Sequence, residues 1–567
     1  MKSVKQISCL MLVLLFVVVV AAACSNKEND GKNNAPTESA AGQTNEISNK
    51  DAPTAKVVDN FNPDGFPIVN DSITLKVMGT KAPSQVPWDQ MTLFQELTKR
   101  MNIQFTFDTP PHEAYAEKLN LAFATGSLPD VLIGANLTVD KEVTYGQQGL
   151  LIPLEELIDK YAPNIVKMFE ANPGLRQSIT GPDGHIYSLP NVQVRPDIPN
   201  TDGHTSYPRL WINGKWLKEL NLDMPTTTEE LIQVLQAFKD KDPNGNKNSD
   251  EIPLTAVHLD IRGVVLNWFG FVGKDDNVID VKDGKVRYAP LETEYKAYLS
   301  FMNQLHAKGL LDLESFSQTA QQKVAKGNQN QLGVFRAHAP FQMVGNDLDA
   351  DYDLLMPLTS EVNSERITSQ TPSFKNGTFA ITKVNKYPEA TIRMVDFLYS
   401  DEGSDIAQYG VEGVNWKFNE TKTGRTMIGS EGKTSEELRA MATIDAGTFM
   451  PRNQSKLAAE LATIENEAKM KDATPTRYHM RSVYSNLIPF ARPVYPTLYF
   501  TLDEQKEINV LQADILTYVE QMEAKFITGD ESLDKYDNFV NTLKNMKVDE
   551  YVNIHQDAYD RWAASGK

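Results

Sequence analysis

Residues 240–251 read Asp-Lys-Asp-Pro-Asn-Gly-Asn-Lys-Asn-Ser-Asp-Glu, with oxygen-bearing side chains on alternate positions. A hard cation such as calcium takes six to eight oxygens, and alternate spacing lets one tight loop wrap it. Pro243 and Gly245 supply the turn. Two registers fit. In the first, Asp240 is position one, Gly245 position six and Glu251 position twelve of an EF-hand-type loop. In the second, the ligands are Asp242, Asn244, Asn246, the Asn248 carbonyl, Asp250 and Glu251. A polar surface turn has a similar composition, but the density of oxygen ligands favours Ca²⁺. There is no paired second loop, so the expected ion is structural rather than that of a sensor.

The six tryptophans are the second chemical signal. Sugars present flat C–H faces that stack on aromatic rings, and pockets combine aromatics with a few polar groups. Trp211 and Trp216 flank a helix start with Leu217 and Leu220 and read as core; Trp562 reads as helix packing. Trp88 lies in a strand-to-helix loop, Trp268 between Gly263 and Gly270, and Trp416 follows Tyr409-Gly-Val-Glu-Gly-Val-Asn. These three are candidate sugar platforms, with simple packing as the competing role.

Catalytic signatures are incomplete. His112-Glu113 lacks the second His of a zinc helix, because position 116 is Ala. Gly432-Lys433-Thr434 resembles the end of a phosphate loop, but Met427 stands where its leading Gly belongs. Residues 429–432 miss the spacing of a nucleophile elbow. A pair of glycosidase carboxylates is compatible with the many acidic residues.

The 567 residues leave room for two large lobes. With 75 acidic and 56 basic residues the net charge is −19, which disfavours nucleic acid as partner and charge-driven docking on an anionic membrane. Lys2 and Lys5 precede an apolar run from Ile7 to Val20 and then Ala21-Ala22-Ala23-Cys24. A basic start, an apolar core and small residues make an export signal. The small residues before Cys24 resemble the lipobox of bacterial lipoproteins, in which the signal is cleaved and the Cys is lipidated. Cys9 would leave with the signal, so no internal disulfide is possible. Residues 25–56 contain no aromatic and one large aliphatic, Ile47, too little apolar surface to offset ordering. Such a tether reaches on the order of 30 Å.

The elements that must position these groups follow from periodicity. Residues 73–78 alternate as a strand, Leu93, Leu97 and Met101 recur at helical spacing, 103–107 is a second strand, 114–125 a helix ending at Gly126, and 131–133 a buried strand. This βαβαβ opening predicts a mainly parallel sheet with ligands at the carboxyl ends of its strands. The loops at Trp88 and at Gly126–Asp130 are therefore expected near the site. Thr227 with Glu230, and Thr501 with Glu504, make capping-box patterns. Tyr295, Tyr298, Leu299 and Met302 mark a helix ended by Gly309, and residues 379–381 return to strand character. The stripe Ile508, Leu511, Ile515, Val519, Met522 and Phe526 closes near Gly529, and helices from Ser532 and Asp549 follow.

Six stretches carry a family resemblance: Ala124-Thr-Gly-Ser-Leu-Pro-Asp130, Asp183-Gly-His-Ile-Tyr-Ser-Leu-Pro190, Trp216-Leu-Lys-Glu-Leu-Asn-Leu222, 242–253, 409–416 and Lys525-Phe-Ile-Thr-Gly-Asp530. From the lipobox to its end the chain resembles the extracellular solute-binding lipoproteins of ABC transporters, family 1, the large oligosaccharide-type subgroup of Gram-positive bacteria. The resemblance implies an α/β, two-lobe fold like the type II periplasmic binding proteins, with a hinge, a ligand cleft and extra C-terminal helices. It implies a signal peptide over 1–23, a lipid-anchored linker over 24–66, and lobes built from discontinuous segments of 67–567. The expected ligand-binding residues are Trp88, Asp130, Trp268, Tyr409, Glu412 and Trp416, and the calcium register is the second one. A monomer, lipid-anchored on the outer membrane face through Cys24, would close on an oligosaccharide without chemistry and deliver it to permease subunits served by a cytoplasmic ATPase. One departure stands out: Gly214-Lys215 replaces the family's Arg-Asp before Trp216. A secreted carbohydrate-active enzyme and a peptide- or signal-binding lipoprotein of the same fold are the rival functions.

Overall fold

The alternating apolar residues of Ile73–Met78 (β1) form the inner strand of a sheet whose order is β2-β1-β3-β12-β4. In this computed structural model the described residues are 60–565, apart from 173, 194–208, 274–277, 346, 371, 421, 423–424, 430–432, 434 and 457–485. The leader, Cys24 and the tether lie outside them. Strands Ile103–Asp108 (β2) and Val131–Ile133 (β3) run parallel to β1, and Leu189–Val192 (β4) occupies the far edge. Helices Thr92–Met101 and His112–Thr125 provide the crossovers, as periodicity predicts. The chain then leaves this sheet and builds a second one of order β10-β5-β9-β6 from Leu210–Asn213 (β5), Ile252–Thr255 (β6), Leu332–Arg336 (β9) and Tyr352–Leu355 (β10). Between them Ile279–Lys282 (β7) and Lys285–Tyr288 (β8) make a separate hairpin.

After Thr368–Gln370 (β11) the chain returns, and Phe374–Ile381 (β12) inserts antiparallel between β3 and β4. Each sheet has its own apolar core. Leu75, Val77, Phe94, Val131, Phe379 and Val395 belong to the first. Ile212, Phe238, Leu254, Tyr298 and Val334 belong to the second, joined by Ile508, Ile515, Val519 and Phe526 of the C-terminal helix Leu502–Thr528. That helix starts on the expected capping box: Thr501 accepts from the Glu504 amide at 3.3 Å, and Glu504 accepts from the Thr501 amide at 2.8 Å. Gly529, at φ 83°, ends it in the left-handed region. At the other predicted box, Thr227 caps Glu230, but the Glu230 carboxylate turns to the Thr226 amide and hydroxyl.

Two buried carboxylates tie the C-terminal segment down. Glu523 is 2% exposed and accepts from the Arg262 guanidinium at 2.8 Å and the Tyr298 hydroxyl at 2.5 Å. Glu142, on helix Val139–Gln147 of the first sheet's half, is fully buried and accepts from the Tyr499 hydroxyl at 2.7 Å. Burial pushes the Glu142 carboxyl up to about 7, against the smaller opposing pull of the Tyr499 and Ser188 hydroxyls.

Replacing Glu523 with Ala removes the buried carboxylate that both Arg262 and Tyr298 bond to and is expected to cost about 3–5 kcal/mol in denaturant unfolding. Glu142 binds its proton more tightly folded than unfolded, so its contribution falls as pH rises from its ordinary range through about 7. Glu142→Gln removes that loss. Its unfolding free energy should exceed the parent's above pH 7 by about 3 kcal/mol, with the difference vanishing near pH 4.

Candidate functional site

In a mainly parallel sheet the loops at the carboxyl ends of the strands are free to hold a ligand. At that edge of the first sheet, residues 444–455 form a collar. The buried Gln85 amide donates to the carbonyls of Ile444 at 2.7 Å and Ala446 at 2.9 Å. The Thr448 hydroxyl donates to the Thr80 carbonyl at 3.2 Å, just past β1, and the Asn191 amide of β4 donates to the Met450 carbonyl at 2.7 Å. Arg452 grips Asp445 through two bonds of 2.9 and 3.0 Å. Two glycines permit the fit: a Cβ on Gly134, after β3, would lie 2.6 Å from Thr448, and one on Gly447 would lie 2.8 Å from Ala82.

The second sheet's edge is built differently. After β6, His258 and Leu259 both take positive φ, 47° and 54°. Two successive non-glycine residues there store strain of about 1–3 kcal/mol each, a feature that clusters at ligand-binding turns. The turn is held by the Val257 amide on Asp260 at 3.0 Å and by Lys323, which is buried and bridges Asp260 and the carbonyl of Arg336 at the end of β9. Beside it Arg209 donates to Nδ1 of His338 at 2.8 Å. Burial, and then the Arg209 charge, hold the His338 imidazole below its ordinary range, so it stays neutral and accepts.

The residues expected from sequence fall in several places. Trp88 is in the right loop, but its ring turns inward. It is 1% exposed, stacks 5.6 Å from Phe94, and donates Nε1–H to Gln85 at 3.2 Å. The indole fills space left by Gly79, where a Cβ would meet its edge at 2.5 Å. Trp88 thus supports the collar through Gln85 and offers no face to a sugar. Trp268 is likewise 1% exposed in the second core, its ring edge-on to Phe301 at 6.1 Å and its carbonyl engaged by Ser360 and Asn363. Trp416 is 3% exposed and donates to the Gly410 carbonyl at 3.0 Å, closing its own loop. Tyr409 carries the Arg425 guanidinium 3.1 Å above its ring. Glu412 is exposed beside Trp416 on a surface cavity of about 500 Å³. Asp130 precedes β3 and accepts from the Lys76 amide at 2.8 Å. The Gly126–Asp130 loop therefore lies at the amino end of β3, opposite the collar, because it feeds the strand rather than leaving it. None of the three rings thus presents an exposed face, since all are buried.

The Asp/Asn-rich loop connects helix Thr228–Asp240 to the amino end of β6. Asp240 turns back to Gln236 on its own helix at 2.8 Å and stays out of the loop. Asp242 accepts from the amides of Asn246 and Lys247, Asn244 accepts from Asn246, and Asn246 accepts from Asn248. Asn244, Asn246 and Gln331 all donate to the Asp250 carboxylate. These bonds to Gln331, Asn246 and Asn244 hold Asp250 below the usual carboxylate range. Glu251 is pushed up by burial and by the charges of Asp250 and Asp242, and its Oε1 is buried without a hydrogen-bond partner. Among the described residues no group of three or more His, Cys, Asp or Glu has metal-holding geometry, so a cation here would need the asparagine oxygens as well.

Sequence reasoning passed over the collar because 444–455 has no periodicity. Its signal is the one applied to the tryptophans, an aromatic (Phe449) beside Gly447. The departure at 214–215 has a steric reason: a Cβ on Gly214 would lie within bonding distance of the Asp353 carboxylate, and Lys215 pairs with Asp351 at 3.4 Å.

Known proteins share this architecture. The chain is 28% identical over 511 residues, 88% of its length, to the fructooligosaccharide ABC transporter substrate-binding protein FusA of Streptococcus pneumoniae, of which it covers 92%. The structure of FusA with kestose superposes with a TM-score of 0.72 at 27% identity, covering 87% of this chain and all of FusA. FusA has also been solved as an EF-hand mutant with fructo-nystose (TM-score 0.71, 26% identity, 87% of this chain and 100% of that one). The alginate-binding protein AlgQ2, solved without calcium ion, gives a TM-score of 0.63 at 25% identity, over 87% of this chain and 99% of AlgQ2. A more partial relative is the lipoprotein LipO of Bacillus subtilis, 25% identical over 42% of this chain and 45% of LipO. Residues 82–405, more than half of the chain, match the family described as bacterial extracellular solute-binding protein. With its two mixed sheets and C-terminal helices, the chain belongs to that family, whose members bind solutes for ABC transporters rather than transform them.

Proposed function

We propose that the protein captures an oligosaccharide outside the cell and hands it to the permease of an ABC importer. The likeness to FusA carries this reading, because it extends over 92% of FusA and takes in both sheets. Each sheet ends in a built ligand edge, the collar on one side and the His258–Leu259 turn on the other. A saccharide touching both edges binds the closed form better than the open one, and that difference in affinity drives closure. Lipidation at Cys24 would keep this receptor near its permease as a monomer on a leash. The −19 net charge makes a neutral glycan, of the fructooligosaccharide kind named for FusA, the better fit than a polyanion.

We further propose that Asp242, Asn244, Asn246, the Asn248 carbonyl, Asp250 and Glu251 hold a structural Ca²⁺. The orphaned Glu251 Oε1 supports this, as do the amide groups of Asn244 and Asn246 turned onto Asp250, where they supply the positive end that a cation would. Rotation of those amides by half a turn presents their oxygens instead. Bound calcium would offset two of the three carboxylate charges. The loop lies at the amino ends of β6 and β9, tied to Asn330 and Gln331, so it braces the second sheet and does not touch the ligand edge.

Titration calorimetry against kestose, cellotriose, mannotriose and digalacturonate should show micromolar or tighter binding of at least one neutral member, with no hydrolysis products after prolonged incubation. Binding to none, or turnover, would contradict the transport reading. Calcium added to EDTA-treated protein should raise the melting temperature by about 2 °C or more. The double variant Asp250→Asn, Glu251→Gln should lose that increment, whereas a parent protein indifferent to EDTA would contradict the ion.

A further inference from the structure

The collar holds one side chain in an unusual state. Thr448 and Met450 are both buried, yet Phe449 between them is 43% exposed. Its backbone is pinned from both sides, by Thr448 on the Thr80 carbonyl and by Asn191 on the Met450 carbonyl. It passes directly over the carboxyl end of β3: a Cβ on Gly134 would lie 3.7 Å from the Phe449 carbonyl oxygen. The ring is thus carried on rigid backbone at the position where a mainly parallel sheet receives its ligand. An exposed aromatic on a mobile loop would be unremarkable, but this one is fixed by Gln85, which is itself buried and positioned by Trp88.

Neighbouring groups brace this turn. The Thr448 amide donates to the Ile444 carbonyl at 3.1 Å. The Asp445 side chain is only 7% exposed, and each of its oxygens receives one bond from the buried Arg452. An apolar ring held at a fixed place is the chemistry that takes the C–H face of a sugar.

We propose that Phe449 is the sugar-contacting subsite of the first sheet's edge, in place of the tryptophans that sequence suggested. This rests on the oligosaccharide reading above and names the residue through which it operates. Phe449 stacks on the ring of one sugar unit. Gln85, Trp88 and the buried Asp445–Arg452 pair are positioning residues that act through the collar and touch no ligand.

The test is calorimetry on Phe449→Ala and Phe449→Trp against the same four saccharides, with melting temperatures measured alongside. Phe449→Ala should weaken the tightest-bound saccharide about tenfold or more, and Phe449→Trp should stay within about threefold of the parent. Neither should shift the melting temperature by more than about 2 °C, because the ring is not part of the core. Gln85→Leu should lower both affinity and melting temperature, the pattern of a support rather than a contact. Parent-like affinity in Phe449→Ala would overturn the subsite while leaving the oligosaccharide reading intact. A parent protein that binds none of the four would overturn that reading and the subsite with it.

Discussion

The backbone ladder of β12 is the constraint on which the rest depends. By the time the chain reaches residue 374 it has completed four strands of one sheet and four of another, and β3 and β4 still lack a partner between them. An unpaired strand edge inside a sheet leaves buried amides and carbonyls unsatisfied, at a cost of about 1–3 kcal/mol each. β12 fills that gap, bonding to both neighbours. The first sheet is therefore closed only by a segment that follows the second sheet in sequence. Gly377, at φ 74°, lets β12 pass close beneath residue 137, where a Cβ would collide with the Leu137 backbone.

The function follows from that return. The return delivers helices Pro388–Tyr399 and Asp401–Tyr409 and the collar itself to the first sheet. The collar then meets the carboxyl ends of β1 and β4 through the Gln85 and Asn191 side-chain amides and the Thr448 hydroxyl, and that of β3 by packing at Gly134, which fixes its orientation. The C-terminal helix does the opposite service, binding the second core through Glu523 while Tyr499 reaches back to Glu142. The collar and the second core are thus both braced from outside, with the Asp/Asn-rich loop at the far end of β6.

The local elements were legible because their signals are local. The alternation in β1 and the apolar spacing of its following helix give the βαβαβ opening, and Thr501, Glu504 and Gly529 mark both ends of a 27-residue helix. The Asp/Asn-rich loop was legible as a loop, but its two candidate registers were not told apart, because what separates them in the structure is the turn of Asp240 back to Gln236. The insertion of β12 was invisible, since its partners lie some 180 residues or more upstream and no pattern in residues 374–381 names them. Trp88 illustrates the remaining difficulty. Sequence puts an aromatic in the right loop, but whether the ring faces solvent depends on the missing Cβ of Gly79 and on the Gln85 acceptor. Phe449 escaped for the complementary reason: its exposure is set by a bond to the Thr80 carbonyl and one from the Asn191 amide, both more than 250 residues away.

Small-angle X-ray scattering of the tether-free protein, with and without a saturating amount of its tightest-bound oligosaccharide, tests closure of the two halves most directly. Closure requires the radius of gyration to fall and the maximum dimension to shorten when sugar is added. Identical scattering profiles at proven saturation would mean that the sugar binds to one half alone, and the two-edged receptor would have to be abandoned.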